Sequence, residues 1–417
     1  MLEFYAGFFE NLIEKILEHK MSYFNNNFRY LFAIFLAVAL GACRPSPRTL
    51  SQTCKYDTQT PQSFGNLVSI CSIAYTKDSQ DCIGHLSEHY KNGVNPTPVI
   101  ERYIQIWNQN FDTLINKSTI TLYQGQRPDK AELLSKNINM TISKEINNKN
   151  FSLGDIKYSL SGASFTYSKG QAYPNFANKH WGGGVLGHGN VQEEIKMRQS
   201  NALVWIAQAA NAYKNHTEWC PSININNLDV DPVVMKLSII SDFDNDQGYG
   251  KKLYKHDTEK QKSFMTPKDH AEVIYSYAMA APEMSKGSSY NLKDLDNMLY
   301  VATTAFYYTM LALDHDGKAF EIHTGNWGAG AFNNSLKMGW AIQLFAIKAA
   351  YELFLAKTHK KIEIKYDYDA NSPGSVKKLE DAYAQIKGFL VDNLSAQDYL
   401  KALLNLANTD DTWQVQK

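Results

Sequence analysis

Two glycine-rich turns constrain this chain more than any other feature: WGGGVLGHGN at 181–190 and GNWGAGAFNN at 325–334. Each stands between a strand-like stretch and a helix-like one. A strand, a bare-backbone turn and a helix in succession is how a sheet edge meets a helix N-terminus. Amides there face a ligand with no Cβ in the way. The rest of the chain repeats the alternation. VVMKLSIIS (233–241), AFEIHT (319–324) and IEIKYDYD (362–369) read as strands. Helices are predicted from about Val191 to Ala212, from Asn291 to Leu313, from Ser335 to Ala356 and over the last forty residues. The span Thr97–Lys149 reads as mostly helical, and SFTYSKGQAYPNFAN (164–178) as a hairpin. Strands interleaved with helices predict an α/β domain with helices on both faces of its sheet.

Composition narrows the function. Lysine plus arginine equals aspartate plus glutamate, 42 each, so the net charge is zero. That balance lacks the basic excess usual in nucleic-acid binders, and no sequence-specific nucleic-acid binding is expected. The apolar run YLFAIFLAVALGAC ends at Cys43. It is too short to span a bilayer as a helix and has the length of a secretory signal core. Leu40-Gly41-Ala42-Cys43 resembles a bacterial lipobox, which makes Cys43 a candidate for lipidation and points to an envelope lipoprotein or an otherwise exported protein. The arginine-bearing stretch from Met21 suits a signal better than residues 1–20, so the true start is placed at Met21. Residues 1–43 are then the signal segment, 44–95 a tether and small region, 96–150 a helical accessory region, and 151–417 the main domain. Cys54, Cys71, Cys82 and Cys220 permit two disulfides in an exported chain.

Glu193 and Glu194 follow the first glycine turn. Acids in a first helical turn stabilise the helix by about 0.3–1 kcal/mol, which explains them without any chemistry. The competing reading is general acid catalysis, for which burial and the adjacent carboxylate must raise a pKa against the helix end. Asp242–Gly248 suggests a calcium loop, but Gln247 and Leu253 stand where an EF-hand needs glycine and glutamate. Asp314, His315, Asp316 and His323 read as scattered polar residues. His188 is a loop residue at a cleft edge, or merely solvated. Tyr366 and Tyr368 suit core packing better than adenine stacking.

Asn175-Phe176-Ala177-Asn178-Lys179, then GGG, seven residues and QEE, resembles the signature of the poly(ADP-ribose) glycohydrolases. TGNWGAGAF (324–332) is similar to that family's diphosphate loop, and Gln247–Gly250 to its tyrosine-bearing loop. The resemblance spans roughly residues 160–370. It implies a macrodomain-like mixed sheet flanked by helices on both faces, preceded by a helical accessory region. It implies Glu194 as catalytic acid/base and Glu193 as holder of ribose hydroxyls. Asn178, Gly182, Gly183, Gly184, Gln192, Tyr249, Asn326, Gly328, Gly330 and Phe332 are expected to bind substrate. The implied substrate is an ADP-ribose polymer or ADP-ribosylated protein, with no cofactor and no metal. Asn175 stands where the family usually has aspartate. Phe243 and Asp246 stand where it often has tyrosines. Those departures leave open a non-catalytic ADP-ribose-binding module, and a mono-ADP-ribosyl hydrolase is a further alternative.

Overall fold

A computed structural model describes residues 57–58, 62–74, 86, 98–115, 118–211, 223, 225 and 227–416. These residues lie in one compact unit, Leu50–Lys417. The apolar run and Cys43 lie outside the described residues. So do Cys54, Cys82 and Cys220; the one described cysteine, Cys71, is disulfide-bonded.

The strands are β1 (Asp57–Thr58), β2 (Gln62–Phe64), β3 (Leu67–Ala74), β4 (Thr119–Gly125), β5 (Asn137–Ile138), β6 (Lys144–Asn147), β7 (Asn150–Leu153), β8 (Ile156–Ser161), β9 (Ala172–Ala177), β10 (Val233–Phe243), β11 (Met265–Ala280), β12 (Phe320–Gly325), β13 (Ile364–Asp369) and β14 (Leu394–Ser395). The helices are α1 (Pro98–Asn110), α2 (Lys130–Ser135), α3 (Gln192–Arg198), α4 (Ala202–Asn211), α5 (Asn245–Gly248), α6 (Thr258–Ser263), α7 (Leu292–His315), α8 (Leu336–Thr358), α9 (Pro373–Ile386) and α10 (Ala396–Thr409). One 12-stranded mixed sheet runs β1-β3-β4-β10-β11-β9-β12-β13-β8-β7-β6, with β2 on β3. Its centre, from β11 to β8, is parallel. The pairs outside that centre are antiparallel.

Alternation along the strands makes two cores. Tyr275, Tyr277 and Met279 of β11 face α7, α8, α9 and α10. Ile274, Ala278 and Ala280 face the other way, toward α1, α3 and α4. The long helices begin where side chains supply an acceptor. Asn291 caps α7 by accepting from Asp294 N (3.0 Å), and Ser335 caps α8 by accepting from Met338 N (3.4 Å).

Three local expectations differ from the structure. Residues 164–178 do not form a hairpin: β9 pairs in parallel with β11, and the preceding turn is held by a side chain instead. Tyr173 Oη accepts from Ser168 N (2.9 Å) and donates to Thr166 O (2.7 Å). The predicted helix 191–212 is two helices. Backbone at 199–201 pairs with β10 through Ile240 N to Gln199 O (2.7 Å) and Asn201 N to Ser238 O (3.0 Å), which competes with the helical ladder. Residues 97–149 carry one long helix, α1, and then mainly strands, of which β4 joins the main sheet beside β10.

Candidate active site

β9 and β12 are neighbours, yet their chains leave in opposite directions. β9 leads to α3 on one face and β12 leads to α8 on the other. In a parallel sheet this switch point opens a crevice beyond the strands' carboxyl ends. Here the crevice is deepened because β9 and β12 register at one pair alone, Ile322 with Ala172. Past it the edge of β9 needs other partners. Gln192 supplies them: its Oε1 accepts from Phe176 N (2.9 Å) and its Nε2 donates to Pro174 O (2.6 Å). Lys196, fully buried one turn on, also donates to Pro174 O and reaches Ser276 Oγ at 3.3 Å.

A cleft of about 460 Å³ fills this crevice. Gln192 and Ile195 of α3 form one wall, Asn326, Ala329 and Gly330 another, and Tyr249 and Lys252 a third. Asn326 Nδ2 ties its loop to Ala370 O (2.9 Å), while its buried Oδ1 has no hydrogen-bond partner among the described residues. Gly330 is exposed, with no heavy atom within 4 Å of where a Cβ would stand. Gly328 and Phe332 are placed differently from their expected contact with substrate. Gly328 is buried against Ala281 and Asn334, and Phe332 packs on the core; neither lines the cleft.

Glu193 and Glu194 sit behind Gln192, closed in by the glycine turn. Glu193 accepts from Gly182 N (2.8 Å), Asn178 N (2.9 Å) and Asn175 Nδ2 (3.2 Å). Glu194 accepts from Gly184 N and Val191 N, each at 3.0 Å. The bond to Val191 caps the helix, a role beyond the end-charge stabilisation expected of an acid in the first turn. The triplet's amides at 182 and 184 thus face the carboxylates, and Gly183 is the exposed crest between them. Gly182 has φ +94°, and a Cβ there would stand 2.8 Å from Ile206.

Close approach also explains Gly189, whose added Cβ would meet Glu194 Oε1 at 2.6 Å and its Cγ at 2.8 Å. Gly189→Ala is expected to displace the Glu194 carboxylate. It should lower any hydrolysis that depends on it by about 10²-fold while leaving ADP-ribose binding in place. Turnover and calorimetry on the one variant separate the two effects.

Burial pushes the Glu193 carboxyl up to about 8; the neighbouring Glu194 charge adds to the rise, and the amides of Asn178 and Gly182 oppose it. Asn175 Nδ2 donates to Glu193 as those amides do, and like them it favours the ionised form. The unfolded value is about 4.3. A raised folded value means the contribution is fully present below the unfolded value and lost as pH rises through about 8. Lys196 acts in the opposite sense, since burial holds its ammonium well below its usual range. The expected result is that the urea midpoint of Glu193→Gln falls less between about pH 5 and 8 than that of the parent.

Several residues of this site carry no sequence signal. Arg198 is fully buried and gathers the turn, donating to Val185 O (2.9 Å), Gly189 O (2.8 Å) and Asn190 Oδ1 (2.9 Å). Its one hint is its place four residues after Glu194, on the same helix face. Gln416 donates through Nε2 to Asn334 O (3.0 Å), and its N–H to Asn333 O (2.9 Å), holding the second glycine turn from the far end of the chain. Asp246 is exposed at the cleft and Phe243 is buried against Gly248. Tyr366 and Tyr368 are core residues. Among the described residues no group of three or more His, Cys, Asp or Glu is arranged to hold a metal.

The fold and cleft define a class: an α/β protein with a macrodomain-like mixed sheet, helices on both faces and a glycine-lined crevice at its switch point. Residues 225–365 match the family model described as poly(ADP-ribose) glycohydrolase (PARG), macro domain fold, and over this segment the chain is similar to that family. The matched segment holds Tyr249, Asn326, Gly328, Gly330 and Phe332. The GGG triplet and QEE lie outside it. Solved structures that are similar include poly(ADP-ribose) glycohydrolase from Thermomonospora curvata, at 15% identity over 73% of this chain and 98% of that one, TM-score 0.36. Another is the Deinococcus radiodurans enzyme in complex with ADP-ribose, at 12% identity over 64% and 94%, TM-score 0.34. At these scores the likeness carries no argument of its own. No curated protein matches the chain.

Proposed function

We propose that the chain is a poly(ADP-ribose) glycohydrolase, hydrolysing ribose–ribose bonds to release ADP-ribose. One observation carries the reading: Glu194 is held by two amides at a helix N-terminus, two residues after Gln192, which lines the switch-point cleft. The family match over 225–365 supports the substrate class. Asn326, Gly330 and the start of α8 offer backbone and amide groups for a diphosphate. Tyr249 offers a half-open ring for the adenosine portion. Glu194 gives a proton to the departing ribose oxygen as the bond from the anomeric carbon to that oxygen breaks. Water then adds to the anomeric carbon, and its proton returns to Glu194. Glu193, Asn178, Gly182, Gly183 and Gly184 position that carboxylate and the distal ribose. No cofactor enters this scheme.

The test is release of ADP-ribose from poly(ADP-ribosyl)ated protein, read by chromatography, with binding of free ADP-ribose read by calorimetry. Release supports the enzyme. Binding without release supports a second reading, an ADP-ribose-binding module, favoured by the enclosure of Glu194 under the glycine turn. Neither overturns both. Release from singly modified protein alone assigns the mono-ADP-ribosyl hydrolase. For location, the proposal is an envelope lipoprotein anchored through Cys43. Labelling with a palmitate analogue that is equal in the parent and Cys43→Ser would sink it.

A further inference from the structure

The segment after Tyr249 is not used by the scheme above, and it lies beside Glu194. Gly250–Lys255, a short 3₁₀ turn, is clamped onto the first glycine turn. Gly250 N donates to Asn190 O (2.7 Å), and Tyr254 Oη donates to His188 O (2.6 Å). The charges of Arg198 and Glu194 both reach the Tyr254 phenol. Its ring is 43% exposed and stands edge-on to His188, with centroids 6.1 Å apart. Lys251 and Lys255 are exposed, and neither has an ion-pair partner among the described residues. Lys252 is spent on Asp246 O at 3.0 Å and on the cleft. Lys251, Tyr254 and Lys255 are thus exposed on one short turn outside the cleft, and Tyr254 ties that turn to the loop that holds Glu194.

A polymer bound with its terminal unit in the cleft passes the scissile bond at Glu194 and continues outward. The first groups it presents there are a flat adenine and a doubly charged diphosphate. Tyr254 matches the first by stacking, and Lys251 and Lys255 match the second. Resting on the glycohydrolase reading, we propose that Lys251, Tyr254 and Lys255 form a subsite for the polymer unit on the leaving side of the scissile bond. It gives the site a preference for polymer over single ADP-ribose units.

The test uses the full chain carrying Glu194→Gln, so that polymer survives the measurement. Affinities are compared for free ADP-ribose and for defined-length poly(ADP-ribose), with and without Lys251→Glu/Lys255→Glu, and separately with Tyr254→Ala. The expected result is polymer bound more tightly than ADP-ribose. The lysine pair should weaken polymer binding at least about tenfold at ~50 mM salt and make its log–log salt slope shallower by about 1–2. Tyr254→Ala should weaken it about fivefold or more, with the slope unchanged. ADP-ribose affinity should hold throughout, which also reports a folded protein. Intact ADP-ribose binding with unchanged polymer affinity overturns the subsite alone. No binding of ADP-ribose by the Glu194→Gln parent overturns the glycohydrolase reading, and the subsite with it.

Discussion

On the proposed function, Glu194→Gln is expected to lower release of ADP-ribose from poly(ADP-ribosyl)ated protein by about 10²–10⁴-fold or more, while free ADP-ribose still binds. The amide keeps the size of the side chain and one oxygen to accept from Gly184 N or Val191 N, at the cost of the other of these two bonds. What it loses is the proton that the departing oxygen needs. Glu193→Gln separates the two neighbours. Glu193 is held by three protein donors and the scheme asks no proton of it, so its amide variant should keep much more activity. Equal loss in both variants would deny Glu194 its special role. Turnover by Glu194→Gln at the parent's rate would remove the mechanism altogether.

Arg198→Met lowers stability by roughly 3–5 kcal/mol and takes hydrolysis with it. The guanidinium is fully buried and is the shared donor for carbonyls at 185, 187 and 189 and for Asn190 Oδ1. Methionine leaves those acceptors buried without that partner. The same turn carries the Gly184 amide that holds Glu194, so the carboxylate loses its seat as the turn loosens. Arg198→Lys is a useful companion. It keeps the charge but not the planar fork, and it should recover only part of either loss. Urea midpoints give the stability, and turnover in the folded baseline gives the activity. A midpoint within about 0.5 kcal/mol of the parent would show that the turn is held by its other bonds.

How much was visible in advance follows from how local each feature is. The strands 233–243, 320–325 and 364–369 and helices α7 and α8 came close to their expected bounds, because long buried elements keep their period whatever surrounds them. Residues 164–178 misread as a hairpin because the turn is locked by the Tyr173 hydroxyl, a bond that no alternation reports. The break at 199–201 has the same cause in another form: it is set by β10, forty residues later.

The glycine triplet, the two glutamates and the second glycine turn are local in sequence, and the sequence by itself determined that bare backbone and carboxylates share one segment. It also determined an α/β alternation, and hence a sheet with a crevice beyond its strand ends. Only the tertiary structure decided what the glycines touch. The amides at 182 and 184 turn to Glu193 and Glu194, while Gly328 and Phe332 turn to the core. The physical reason is burial. A carboxylate withdrawn from water takes the nearest donors, and which donors are nearest depends on how Arg198 and Asn190 fold the turn back onto α3 and on the parting of β9 from β12, contacts that the order of residues does not state.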